Sequence, residues 1–166
     1  MVFIVPVQSN SKQNQLVADT GATHHFLQHN NNHDYIHTAI PVLNITPTSN
    51  GIDVLLPNNA TMHSTHTGQL DIPALPPEAK TAHIFTELAS GSLLSIGQLC
   101  DHGCSAYFNK AKLYILYKGN IIMQGSRGPT KLWTIDQPAT TVHALNSVID
   151  APTIAERLKF YTVRLF

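Results

Sequence analysis

The run Asp19-Thr20-Gly21-Ala22 follows directly on the apolar triplet Leu16-Val17-Ala18, and residues of these types in this order can do acid–base chemistry. A short strand would deliver the Asp19 carboxylate to a tight turn. Gly21 would let the backbone approach a neighbouring loop closely, and the Thr20 hydroxyl could bond to that loop. The same tripeptide also serves as a helix N-cap or a surface turn, so it carries a function only in company. A second stretch supplies that company: Leu93-Leu94-Ser95-Ile96-Gly97-Gln98-Leu99 is apolar with a glycine inside it. Gln98 to His102 is long enough for one or two helical turns, which Gly103 would stop.

Other residues invite different chemistry. His25, His29, His33 and His37 recur every fourth residue, and on a helix they would line one face as metal ligands. Asn30-Asn31-Asn32 interrupts them, and Asn is a poor helix former, so a polar loop is expected and no metal. Cys100 and Cys104 lie four residues apart. They are expected to be buried packing residues, because His102 alone cannot complete a four-ligand zinc site. Two cysteines in all are too few for a disulfide framework, which points to a reduced, intracellular protein. Tyr107, Phe108, Tyr114 and Tyr117 are expected in a core or an interface.

These residues need a scaffold, and composition bounds it. With 166 residues the chain can form one compact domain plus a tail. Charged residues make up 12%, about half of the usual ~25%, so the surface is polar but weakly charged. Ten basic residues balance ten acidic ones, which leaves no cationic field to attract nucleic acid. Ten histidines, with an ordinary pKa of roughly 6.5, make the chain distinctly cationic in mild acid. Met1 to Val7 lacks the basic flank of a signal peptide, and no apolar run reaches the ~20 residues of a membrane span. A soluble protein without cofactor or membrane partner is expected.

Short β-like pieces separated by turn signals run along most of the chain. They include Val2 to Val7 at an edge, Leu16 to Ala18, Ile40 to Ile45 and Ile52 to Leu56. Pro57-Asn58-Asn59-Ala60 is a turn, and Thr61 to Ile72 returns as the second arm of a hairpin. His24 to Asp34 reads as a surface loop, and Pro73 to Pro77 as another. Lys80 to Leu88, Ser105 to Phe108, Lys112 to Tyr117, Ile121 to Gln124 and Leu132 to Ile135 complete the strands, with a turn at Lys118-Gly119-Asn120. The pattern predicts an all-β barrel or sandwich. Asp150-Ala151-Pro152 followed by Thr153 to Tyr161 has the cap, early proline and continuation of a helix, which is cut off at Phe166.

Asp19-Thr20-Gly21-Ala22-Thr23-His24-His25, followed by Leu93-Leu94-Ser95-Ile96-Gly97-Gln98-Leu99, resembles the two signatures of copia-type LTR retrotransposon aspartic proteases within Gag-Pol polyproteins. The resemblance covers about residues 14 to 136 and ends at Leu132-Trp133-Thr134-Ile135. It implies an all-β, retropepsin-like closed barrel over residues 1–136, with one short helix near 98–102. Residues 137–166 would then be a linker and a truncated helix leading toward a pre-integrase region. It further implies a catalytic Asp19, supported by Thr20, Gly21, Ala22 and Thr23. The second motif is carried by Leu94, Ile96, Gly97 and Gln98, and Pro57, Asn58, Asn59 and Ala60 form the flap. Retroviral relatives place an Asp and an Arg where this chain has Thr23 and Gln98. A neutral hydrogen bond between these two is expected to replace the ion pair.

Metal-free peptide hydrolysis needs a base to activate water and an acid to protonate the leaving group. Two close carboxylates sharing one proton supply both, with pKa values that belong to the pair. Asp34, Asp53, Asp71, Asp101, Asp136 and Asp150 all lack a following Thr/Ser-Gly. The second carboxylate is therefore expected from a second copy, as a twofold homodimer acting on extended polyprotein peptide. The competing reading is a remnant that keeps the fold as a dimerising or peptide-binding module without hydrolysis.

Overall fold

The structure is a computed structural model that describes residues 15–29, 36, 38–56, 59–86, 88 and 91–136. The expected strand at Val2 to Val7, His33, His37, Pro57, Asn58 and the C-terminal linker and helix lie outside the described residues. In chain order the strands are β1 (Leu16–Asp19), β2 (His25–Gln28), β3 (Val42–Pro47), β4 (Asp53–Leu55), β5 (Thr61–His63), β6 (His66–Leu70), β7 (Thr81–Phe85) and β8 (Ser92–Ser95). The one α-helix among the described residues, α1 (Ile96–Asp101), precedes β9 (Cys104–Phe108), β10 (Lys112–Tyr117), β11 (Asn120–Arg127) and β12 (Trp133–Ile135). A 3-10 turn covers Pro77–Ala79. The all-β expectation with one short helix holds, although the helix begins at Ile96 rather than Gln98.

Ten of these strands form one sheet in the order β3-β6-β7-β2-β8-β1-β12-β11-β10-β9, while β4 and β5 form a separate hairpin. Among the described residues the ladder is open, so the closed barrel is not found. One end, β3, is poorly suited to pairing. β3 carries Pro47, a left-handed Asn44 at φ 53° and a register shift between Leu43 and Thr46. Proline lacks a donor, and an irregular edge cannot offer an even ladder. At the other end β9 finishes in the exposed Tyr107 and Phe108.

The interior is divided in two. The larger core collects Leu16, Leu27, Ile84, Leu94, Leu99, Leu113 and Ile115, and the smaller one Ala22, Phe26, Met62, Phe85 and Leu88. Strand alternation explains the division, since successive side chains face opposite sides. In β2, Phe26 points to the smaller core and Leu27 to the larger; in β7, Phe85 and Ile84 do the same. This corrects the first part of the surface loop expected at His24 to Asp34, whose residues 30–35 lie outside the described residues. β2 lies between β7, which it meets in parallel, and β8, so His25-Phe26-Leu27 is buried on both faces. The polar residues around it disguise a central strand.

The parallel pair β1 and β8 occupies the middle of the sheet, with Leu16 opposite Ser92 and Asp19 opposite Ser95. Both chemistry-bearing motifs therefore leave the sheet at the same level. Thr61 to Ile72 does not form a single hairpin arm. Thr61–His63 pairs with Asp53–Leu55, and His66–Leu70 joins the large sheet between β3 and β7. No helix among the described residues is long and apolar enough to cross a membrane.

Candidate active site

Asp19 ends β1 half-buried, and its Oδ1 accepts the Gly21 N–H at 2.7 Å, which fixes the carboxylate over a tight turn. Thr20 and Gly21 are exposed beside it, whereas Ala22 is buried in the smaller core. Across the parallel pair, Ser95 is fully buried and caps α1 by accepting the Gln98 N–H at 3.0 Å. The same hydroxyl donates to the Ala22 carbonyl at 2.6 Å, bridging motifs 73 residues apart. Serine followed three residues later by glutamine is a readable cap signature, and it could have found Ser95 from the sequence.

Gln98 reaches in three directions. Its Oε1 accepts the His25 N–H at 3.1 Å, and its Nε2 donates to the Thr81 carbonyl at 2.8 Å and, more weakly, to Ala79 at 3.5 Å. The expected partnership with Thr23 is therefore not formed. Thr23 is exposed, and its hydroxyl pairs with His24 Nδ1 at 3.0 Å. The reason is burial: Gln98 lies inside among backbone groups that need partners, and the turn holds Thr23 outside. Leu94 and Ile96 pack in the larger core. A Cβ at Gly97 would meet only ordinary contacts, 3.7 Å from Ser95 Oγ and 3.8 Å from the Ala22 carbonyl.

His25 completes the brace, and only its place in the motif marked it in the sequence. The ring is fully buried, with Nδ1 accepting the Ser95 N–H at 2.9 Å and Nε2 donating to the Ala79 carbonyl at 2.9 Å. A ring nitrogen facing an N–H must be bare, and one facing a carbonyl must carry the hydrogen, so these partners select the neutral Nε2–H form. Burial holds the imidazole down from 6.5 to about 4. The Ala79 bond opposes that effect, and His24, His102 and His83 add to it.

Two clefts flank the loop. One, of about 490 Å³, is bordered by Asp19 and Thr20 together with Val17, Leu93, Phe108, Leu132 and Trp133. Its wall is ordered by aromatic contacts: Phe108 meets Trp133 edge-on at 5.2 Å, and the Arg127 guanidinium lies 4.5 Å from the Trp133 ring centre. The other, of about 420 Å³, lies between Gly21 to His24 and the β4 arm of the hairpin. His24 also touches His83, with ring centres 5.3 Å apart, and His83 is lowered by burial first and by His24 second.

In the expected flap, Asn59 adopts φ 63° and donates to the Leu56 carbonyl at 2.9 Å, while Leu56 N–H bonds to Ala60 at 2.8 Å. Leu55 is 70% exposed. At the base, Ser64 Oγ accepts the Ile52 N–H at 2.9 Å, and a Cβ at Gly51 would fall 2.2 Å from the Ser64 carbonyl oxygen. The hairpin thus faces the loop through Gly21 to His24, while Asp19 opens on the other cleft.

Among the described residues no group of three or more His, Cys, Asp or Glu could hold a metal ion. His25 and His29 stand on and just beyond a strand rather than on a helical face. Cys104 is buried as expected, but Cys100 is exposed, since it lies on the outer side of α1. Burial raises both thiols. Compared with protein-family models, with curated proteins and with solved structures, the chain matches none.

Proposed function

We propose that this chain is one half of a copia-type, retropepsin-like aspartic endopeptidase whose sheet stays open, and that it matures the Gag-Pol polyprotein containing it. The observation that carries this reading is the meeting of the two motifs. Asp19-Thr20-Gly21 leaves β1 opposite Ser95, and Ser95 and Gln98 hold the loop by bonds to Ala22 and His25. An ordinary surface turn has no need of a buried polar brace drawn from so far along the chain.

The chemistry requires a second carboxylate within hydrogen-bond reach of Asp19. A second copy, approaching about a twofold axis over the exposed Thr20 and Gly21, would bring it. That approach covers the cleft bordered by Asp19, and Phe108 and Leu132 on its rim, 37% and 49% exposed, would contribute apolar contact. One carboxylate then takes a proton from water as it attacks the peptide carbonyl, and the other, protonated, gives its proton to the leaving nitrogen. Extended peptide would pass from beneath the hairpin across the loop to Asp19, with backbone pairing giving affinity and side-chain pockets specificity. The exposed Leu55 and the Asn59 turn suit a lid that closes over bound peptide and excludes water. The setting would be intracellular, in cytoplasm or a virus-like particle.

Asp19→Asn keeps an acceptor for the Gly21 N–H and removes the ionisable oxygen. It is expected to abolish cleavage of a fused flanking sequence while leaving the far-ultraviolet circular dichroism unchanged. Normal processing by this variant would remove the assignment. The non-hydrolytic reading has one feature in its favour, the apolar cleft with Phe108 and Trp133, which could hold peptide without cutting it. Acid-favoured binding of a hydroxyl-bearing transition-state mimic by the wild type, lost in Asp19→Asn, separates the two.

A further inference from the structure

We propose that His25 is a positioning residue: its neutral ring, bonded to the Ser95 N–H and the Ala79 carbonyl, holds the Asp19 to His24 loop in place, and a proton on Nδ1 releases it. Its functional half rests on the proteolytic reading above; its structural half does not.

The geometry leaves the ring little choice. Nδ1 lies 2.9 Å from a backbone nitrogen that carries a hydrogen, so a proton added to Nδ1 would face a donor with a donor. That bond must then break, and the ring has no other acceptor at Nδ1 among the described residues. The break occurs where it matters most, because Ser95 is at once the register partner of Asp19, the cap of α1 and the donor to Ala22. His25 N–H is also the group that Gln98 Oε1 accepts, so movement of the residue disturbs both braces.

The surroundings offer no relief for a positive charge. His24 on the loop, His83 on β7 and His102 at the end of α1 all repel it once they are charged. The other charged residues on the packed elements are Glu78 and Lys80 around the 3-10 turn and Asp101 on α1. Glu78 and Asp101 are exposed, Lys80 is half-buried, and none bonds to the ring. Charging His25 therefore costs burial, a hydrogen bond and repulsion together, and displacement of the loop is the response open to it.

The test uses the full chain, with nitrogen-15 spectra of the histidine rings and amide hydrogen exchange recorded from pH 7.5 to 3.5. The wild type is expected to show a bare Nδ1 and a hydrogen-bearing Nε2 at neutral pH. On acidification, protonation of the His25 ring is expected to coincide with loss of protection at the His25 and Ser95 amides, while β10 and β11 stay protected. His25→Asn retains an acceptor near the Nδ1 position and cannot titrate, so that step should vanish and the acid limb of cleavage should extend to lower pH. His25→Phe removes both bonds, and its cleavage rate should fall about a hundredfold through misplacement of the loop. An Nδ1–H ring at neutral pH, or the same acid step in His25→Asn, overturns the proposal. Should the variants fail to fold, the wild-type titration decides alone: exchange that does not track the ring refutes it. If no form of the protein cleaves peptide, the proteolytic reading fails while the spectra still judge the loop.

Discussion

The Asp19 loop and the β4–β5 hairpin face each other across a cleft but are held by opposite means. The loop is fastened by buried polar groups: Ser95, Gln98 and His25 each satisfy backbone partners far away in sequence. The hairpin has three-residue arms, an exposed Leu55 and a cross-strand Asp53–His63 pair whose side chains are largely in solvent. Its firm point is the base, where Ser64 closes on Gly51 and Ile52. In the proposed enzyme the catalytic group would gain from fixed placement, whereas a lid would have to open at small cost, and the two kinds of bonding suit those needs.

The contrast can be broken most severely at Gln98. Gln98→Leu leaves the His25 N–H and the Thr81 carbonyl without partners, which should cost about 3 kcal/mol in urea unfolding. A loss below about 1 kcal/mol would mean that the brace is not what holds the loop. Acid is a gentler lever of comparable final size. The His25 imidazole, held down to about 4 in the fold, takes up its proton at higher pH when unfolded. The unfolded chain therefore binds more protons between about 6.5 and 4, and this contribution to stability is complete above that window and falls as pH drops through it. The total loss should reach about 3 kcal/mol, read as the difference between wild type and His25→Asn in urea titrations across pH. A constant difference would contradict the burial of a neutral ring.

The hairpin should answer more weakly. Asp53→Asn weakens an exposed cross-strand contact with His63 and should cost at most about 1 kcal/mol, while amide exchange at Val54 and Met62 accelerates. A larger cost would make the hairpin a structural clamp rather than a lid. Gly97→Ala sharpens the comparison from the side of the proposed second copy. Within one chain the new methyl meets no obstacle, and alanine suits a helix better, so stability should change by no more than about 0.5 kcal/mol. Lost self-association in a folded Gly97→Ala protein would place that glycine at a contact between copies.

Much of this was legible in residue order. Strand-forming runs such as Lys112 to Tyr117 sit between explicit turn residues, and Gly119 adopts the positive φ that its type suggests, with Lys118 drawn into the same region by the tight turn. Gly103 ends α1 with φ +84° for the same reason. Where the sequence misled, long-range packing had overruled local chemistry. His25 to Gln28 looks like a polar loop because histidine and glutamine flank it. It is a strand because β7 and β8 enclose it, and no local pattern announces neighbours more than fifty residues away. Gln98 was read as a partner for Thr23 by analogy with a charge pair, but a buried amide serves whichever backbone groups surround it. The open ladder was likewise hidden, since closure depends on whether the two edge strands β3 and β9, far apart in the chain, come together.

Cleavage by mixtures of wild-type and Asp19→Asn chains gives the sharpest measurement. If each site needs a carboxylate from two copies, a ninefold excess of the inactive chain should draw most wild-type copies into mixed pairs. The rate per wild-type copy would then fall by roughly tenfold for random pairing. An unchanged rate per wild-type copy, with the two proteins shown to exchange, would mean that a single chain cuts on its own and that the shared site does not exist.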